Sequence, residues 1–411
     1  MAFRLQSIDR AALTAFAQRL IRTPSLSTQE GEVAAMTAAE MRAVGFDDVT
    51  IDRMGNVIGR IGPDQGERKL FFDAHMDTVD VGEAANWQRD PFGGQIADGI
   101  LYGRGACDMK GALAAMVYAG KALIESGPPL TGDLYVAAVV QEETCEGLAL
   151  QHIVEEEGLR PDWVLLGEPT NLQVARGQRG RMELQVKVRG RSCHASTPER
   201  GTNAIYEAAR IVVGLELLAS GLDRDPFLGQ GTIAVTDINS VSGSFDTLCV
   251  DHGVVTPSIK HNTIPDSCTL YIDRRLTTGE TETRALNEVQ RIIAREGVRA
   301  DVQVATYSAA SYKGYRAERR QYFPPWTISE EDPFLLQVSE VVDAALGFVP
   351  HIGKWNFSTD GVYSAGVVGI PTVGFGPGEE AYAHTVDDQV RLDDLEAAAQ
   401  VYAELAARML R

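Results

Sequence analysis

The sequence is short of positive charge. Its 38 lysines and arginines face 57 aspartates and glutamates, a formal net charge of -19 over 411 residues. Nucleic acids and anionic membrane surfaces both require a basic footprint, so neither is an expected partner. Long apolar runs are also missing. No stretch approaches the roughly 20 residues that span a bilayer, and the first residues lead into an amphipathic helix rather than a continuous apolar segment. Cysteine pairs are lacking as well: Cys107, Cys145, Cys193, Cys249 and Cys268 are scattered without a C-x-x-C, and an odd number argues against a disulfide framework. A reducing, cytoplasmic setting is expected, with Cys107, Cys145 and Cys193 read as small buried residues. The chain shows no internal repeat and no low-complexity segment.

A recurring design is present instead. Apolar runs with strand character end abruptly in a histidine or an acid. Phe71 to Ala74 leads to His75 and Asp77; Leu134 to Val140 leads to Glu142 and Glu143; Trp163 to Leu166 leads to Glu168, with Pro169 ending the pairing. Asp108 follows a glycine-rich turn, Gly103 to Gly105, at the start of a helix read from about Lys110 to Glu125. Taken singly, each has an ordinary reading: His75 as a satisfied core histidine, Asp108 as a helix cap, Glu142 and Glu143 as a solvated turn. Their regular recurrence after apolar strands that alternate with helices favours a shared site, because ligands gather beyond the carboxyl ends of strands in open α/β sheets.

The chain is too long for one simple core. The expected fold is α/β, a catalytic domain with a mixed, mostly parallel sheet flanked by helices. It would run over residues 1–179 and resume over 308–411. From Arg179 the pattern turns to alternating strands, Met182 to Arg189, with two helices, Asn203 to Leu218 and Thr281 to Arg295. Residues 180–307 are therefore expected to form an inserted α+β, ferredoxin-like domain. His194 sits in a loop there, among small residues, and alone reads as a surface histidine. The last segment carries a glycine-rich loop, Gly374 to Gly378, and then His384.

Together, His75, Asp108, Glu143, Glu168 and His384 supply two imidazoles and three carboxylates. That is enough for two divalent cations if one carboxylate bridges. Mixed nitrogen and oxygen donors suit Zn2+, with Co2+ or Mn2+ as alternatives. Two such ions about 3.5 to 4 Å apart can clamp the attacking and carbonyl oxygens of a hydrolysis, with Glu142 as the base. Asp77 would orient His75 by accepting the N–H of its other ring nitrogen.

The set His75-x-Asp77, Gly105-x-x-Asp108-Met109-Lys110-Gly111, Glu142-Glu143, Glu168-Pro169-Thr170, His194 and His384 resembles the family of acetylornithine deacetylase, succinyl-diaminopimelate desuccinylase, aminoacylase and glutamate carboxypeptidase. The likeness extends over essentially the whole chain. It implies Asp108 as the bridging ligand, His75 and Glu168 on one metal, Glu143 and His384 on the other, and Glu142 as the general base. It also implies a lid domain that mediates a homodimer, with His194 reaching across to stabilise the oxyanion. Asn262 and Arg275 would hold the substrate carbonyl and carboxylate, and backbone N–H groups around Gly376 would meet the carboxylate. The stretch Lys354 to Asp360 and the loop around Cys145 resemble a branch linked to selenium metabolism. The implied activity is deacylation of an N-acyl amino acid or related amine, with a metallo-carboxypeptidase or dipeptidase as the alternative. A non-catalytic metal-binding interaction protein would have no need of Glu142.

Overall fold

The computed structural model describes residues 5–127, 129–241 and 262–411. Cys249 lies outside the described residues. Two compact units form, one from residues 1–178, 307–319 and 325–411, the other from 179–306 and 320–324.

In the first unit, Asp9 caps α1 (Arg10–Arg22) by accepting the Ala12 N–H at 3.1 Å, a contact worth about 1 kcal/mol. The helix buries Leu13, Phe16, Ala17, Leu20 and Ile21, spaced as one apolar stripe. α2 (Gly31–Ala43), β1 (Asp48–Ile51) and β2 (Val57–Ile61) follow. β3 (Lys69–His75) is buried from Leu70 to His75 with no polar face, as a strand covered on both sides requires. α3 (Gly111–Ser126) is buried at every position from Gly111 to Gly120 and packs against β3 and α1. β4 (Asp133–Val139), α4 (Leu148–Glu155), β5 (Trp163–Leu166) and β6 (Val174–Gln178) complete this first half.

The second unit runs β7 (Gly180–Arg189), α5 (Ala204–Ala219), β8 (Thr232–Val241), β9 (Ser267–Leu276), α6 (Glu282–Glu296) and β10 (Ala300–Val304). Its sheet is antiparallel in the order β8-β9-β7-β10, the ferredoxin-like β-α-β-β-α-β arrangement. Met182, Leu184, Val186 and Val188 alternate into one face and meet Ile211, Leu215, Val289 and Ile293 from the two helices. Residues 320–324 return to this unit because Tyr322 and Phe323 pair with Met182 and Arg181 on β7. Residues 307–319 group instead with the first unit.

The chain then adds β11 (Trp326–Thr327), α7 (Pro333–Leu346), β12 (Ile352–Trp355), β13 (Thr372–Gly374) and α8 (Leu392–Met409) to the first unit. Its large sheet has the order β1-β2-β4-β3-β5-β13-β6-β11, with β12 also on β6. The centre is parallel: β4 with β3, β3 with β5, and β5 with β13. The β1-β2-β4 edge is antiparallel, as are the pairings of β6 with β13 and β11. Register sets His75 opposite Val139 and Asp73 opposite Leu166, so the three parallel strands deliver their polar ends to one edge. Among the described residues no helix is long and apolar enough to cross a membrane.

Candidate metal centre

Four buried groups gather near that edge. His75 is 1% exposed, and its Nε2 lies 2.9 Å from Asp108 Oδ1. Glu168 Oε1 lies 3.8 Å from the same nitrogen and Glu142 Oε2 4.0 Å from it. On the other side of Asp108, its Oδ2 lies 3.2 Å from Nε2 of His384, which also meets Glu143 Oε2 at 2.9 Å. Asp108 thus offers one oxygen to each histidine. Ligand atoms of His75, Asp108 and Glu143 fall within 4.8 Å of one another, as do those of His75, Glu142 and Glu168.

Asp108 is not a helix cap. Its backbone is non-helical, α3 begins only at Gly111, and no side chain caps that helix. The turn before it depends on Gly105, whose φ of +86° suits glycine and where a Cβ would come within 2.9 Å of Thr78. Two other site positions hold left-handed backbone without being glycine, Gln141 at φ 60° and His384 at φ 60°. Each costs roughly 1–2 kcal/mol, so surrounding contacts must enforce them. For Gln141 the enforcing contact is its N–H on Glu30 Oε1 at 3.1 Å.

The electrostatics are those of acids crowded out of water. Burial, reinforced by Asp108, pushes Glu168 well above the usual carboxylate range and raises Glu143 as well. Burial likewise drives Glu142 well up, with Glu168 and Asp360 adding to it. Hydrogen bonds donated to the Asp108 and Glu143 carboxylates raise His384 to about 10. Burial opposes charge on His75, but Asp108, Glu142 and Glu168 outweigh it and hold the imidazole well above its ordinary value. Burial would also raise Asp108, yet the two histidines pull it far below. Glu142 Oε1 and Glu143 Oε1 are buried with no hydrogen-bond partner. A divalent cation among these groups reverses the whole pattern, favouring neutral imidazoles and ionised carboxylates, and gives the orphaned Glu143 oxygen a partner. The residues therefore fit two divalent cations.

The match to known sequences agrees with this donor set. The model of peptidase family M20/M25/M40 matches residues 71–408. The chain belongs to this family. It is accordingly a metal-dependent hydrolase. The uncharacterized protein YgeY of Escherichia coli K12 is 40% identical over 396 residues, covering 96% of this chain and 94% of that one. A succinyl-diaminopimelate desuccinylase of Cereibacter sphaeroides (strain KD131) is 31% identical over 410 residues, covering 96% and 97%. Among solved structures, the M20 metallo-carboxypeptidase Sso-CP2 of Sulfolobus solfataricus aligns at a TM-score of 0.75 with 16% identity, covering 96% of this chain and 98% of that one. YXEP of Bacillus subtilis, described as a dinuclear metal binding peptidase, aligns at 0.66 with 17% identity, covering 98% of each.

Some expected residues stand elsewhere than the sequence suggested. His75 Nδ1 meets the backbone carbonyl of Asp77 at 2.9 Å, while the Asp77 carboxylate lies 3.7 Å away. That carboxylate accepts the N–H groups of Glu142 and Glu143, each at 3.2 Å, and the Ser27 hydroxyl at 2.6 Å. Asp77 orients the imidazole through its main chain because its side chain is committed to the adjacent strand end. Gly376 is corrected too. Its N–H donates to Thr170 Oγ1 at 3.0 Å, so it is not free for a substrate carboxylate. A Cβ there would collide with the carbonyl oxygens of Gly167 and Glu168, which makes the glycine a spacer behind Glu168.

His194, Asn262 and Arg275 belong to the second unit. His194 is exposed and its Nδ1 accepts the Ser196 N–H at 3.1 Å. The Asn262 carbonyl accepts the Ala195 N–H at 2.7 Å, so His194 and Asn262 lie on paired segments. Arg275 meets Asp273 at 2.8 and 3.1 Å, whereas Arg274 is buried against Glu280. Asp388 was not singled out in the sequence. It accepts the Gly105 and Cys107 N–H groups at 2.7 and 2.8 Å and so clamps the turn that leads to Asp108. Burial raises it to about 7 against those bonds. Its position four residues after His384, in an acidic pair, was the available signal.

Proposed function

We propose that the chain hydrolyses the amide bond of an N-acyl amino acid or related amine at a two-metal centre held by His75, Asp108, Glu143, Glu168 and His384. The observation that carries the reading is Glu142. Its carboxylate is 5% exposed, 4.0 Å from His75 Nε2, with one oxygen lacking a hydrogen-bond partner. A buried acid with a free oxygen beside the ligand set is a base awaiting a proton, and metal storage alone has no use for it.

Bound divalent cations supply Lewis acidity, bringing the pKa of water from about 15.7 to about 7 and polarising the scissile carbonyl. The Glu142 carboxylate takes the proton from the attacking water and returns it to the leaving amine. Burial sustains the second half of that cycle, because it keeps the protonated acid from being lost to solvent at neutral pH. In this reading His75 and Glu168 would hold one cation and Glu143 with His384 the other, with Asp108 shared between them. The motif resemblance supports His194 as a donor to the oxyanion and Asn262 and Arg275 as substrate contacts, with the second unit proposed as lid and dimer contact. Loss of an oxyanion donor typically lowers turnover about 10²- to 10³-fold, the effect expected of His194→Ala.

The test is product analysis on panels of N-acetyl and N-succinyl amino acids and of dipeptides, with Zn2+, Co2+ or Mn2+ added. Amine release from N-acyl substrates is expected, lowered about 10²- to 10⁴-fold in Glu142→Gln at unchanged metal content. Release from dipeptides alone moves the chain to the dipeptidase reading. Undiminished turnover in Glu142→Gln overturns the mechanism.

A further inference from the structure

A second cluster of metal-binding side chains lies outside the centre and shares no residue with it. Asp52 follows β1, His152 stands on α4, and Glu156 and Glu157 follow that helix. His152 is 2% exposed, yet neither ring nitrogen has a hydrogen-bond partner. Its Nε2 lies 3.3 Å from Glu157 Oε1 and 3.8 Å from Asp52 Oδ2. Its Nδ1 faces Glu156 Oε2 at 3.4 Å. The ring packs edge-on against Tyr315, 4.7 Å between centroids. A buried imidazole whose two nitrogens face carboxylate oxygens without well-formed hydrogen bonds is unusual, since buried polar groups nearly always find partners.

The separations have a chemical meaning. Tetrahedral zinc with bonds of about 2.0–2.2 Å sets its ligand atoms roughly 3.3–3.6 Å apart. The Nε2 distances of 3.3 and 3.8 Å span that spacing, and all three donor atoms fall within 4.8 Å of one another. Neighbouring cations do not fill the gap. Lys313 Nζ donates to the Asp52 carbonyl at 2.7 Å rather than to its carboxylate, and Arg53 reaches Glu156 at 3.8 Å. We propose that Asp52, His152 and Glu157 form an additional divalent-cation site, taking Zn2+, with Glu156 orienting the imidazole through its other nitrogen. A ligating histidine commonly gives its second N–H to a carboxylate, and the imidazole donor argues against Ca2+ or Mg2+.

Such a site is structural. It ties the turn between β1 and β2 to the end of α4. Asp52 also accepts the Asn56 backbone and side-chain N–H groups at 2.9 and 2.7 Å, and Asn56 Oδ1 accepts the Val140 N–H at 3.0 Å, two residues before Glu142. A cation here braces the strand end that carries the base.

The test uses the full chain, stripped by a chelator, dialysed against Zn2+ and assayed for bound metal by mass spectrometry. Glu157→Gln, whose carboxylate is 34% exposed and so dispensable for folding, is expected to bind one equivalent fewer than wild type while keeping its amidohydrolase centre loaded. His152→Asn should do the same. The comparison is repeated in an Asp108→Asn background, where Glu157→Gln again removes one equivalent and abolishes a Zn2+-induced rise in Tm. This second comparison stands whether or not the centre performs the proposed chemistry. Equal zinc content with and without Glu157→Gln in both backgrounds overturns the site.

Discussion

The carboxylate of Asp77 accepts the backbone N–H of Glu142 at 3.2 Å, and its second oxygen accepts that of Glu143. One side chain therefore positions both the proposed base and a proposed metal ligand. Asp77→Asn preserves the volume but replaces one acceptor with an amide that can only donate. We expect kcat to fall about 10- to 100-fold with most of the metal retained, the usual effect of losing a group that supports a ligand set. Steady-state kinetics beside metal analysis checks this, and wild-type turnover would remove Asp77 from the machinery.

Removal of His75 should act differently. His75→Ala leaves Glu168 and Asp108 without their shared imidazole, so metal content drops along with activity. Chelation of the wild type should mimic it, lowering Tm, with Zn2+ restoring both. Ligand at about 100 times its Kd contributes about 2.7 kcal/mol to stability. Unchanged metal content in His75→Ala would take this residue out of the centre.

Gly376→Ala places a methyl group against the carbonyl oxygens of Gly167 and Glu168. Backbone must move, at a cost of about 1–3 kcal/mol, and Glu168 moves with it. Urea denaturation should show that loss together with weakened metal binding. A variant that loses stability but binds metal as tightly as wild type would show that the glycine serves packing alone.

Lys110 is fully buried, its Nζ donating to the Leu20 and Thr23 carbonyls at 3.0 and 2.8 Å. Burial lowers its pKa from 10.5 to about 7. Between those values the unfolded chain holds a proton that the folded chain has released, so this group's contribution to stability is full above about 10.5 and falls away as pH drops to about 7. The stability of wild type relative to Lys110→Met should therefore rise from pH 7 to pH 10. A flat difference across that range would show that the ammonium stays charged inside the fold.

The acids at strand ends were legible because each follows an apolar run, and parallel pairing necessarily brings such ends to one edge. β3, β4 and β5 are the runs that carried His75, Glu142 and Glu168 into view. What escaped the sequence depends on partners far apart in the chain. Strand alternation fixes the face a side chain occupies, not the amide it meets, so Asp77 was assigned to the imidazole rather than to Glu142 and Glu143. The Asp388 clamp on Gly105 joins positions 283 apart. Gly376 reads as a loop glycine until the Glu168 carbonyl is seen behind it. β6 was overlooked because Val174-Ala175-Arg176-Gly177-Gln178 contains too little apolar pattern to announce a strand.

The two oxygens of Asp108 face His75 and His384, one from the third strand and one from the loop ahead of the final helix. A ribosome delivers His75, Asp108, Glu142, Glu143 and Glu168 before it begins the second unit, and His384 only after finishing it. The growing polypeptide thus carries one arm of the fork without the other. On the proposed ligand set, the two-metal site is complete only once the carboxyl-terminal stretch has been made and folded back.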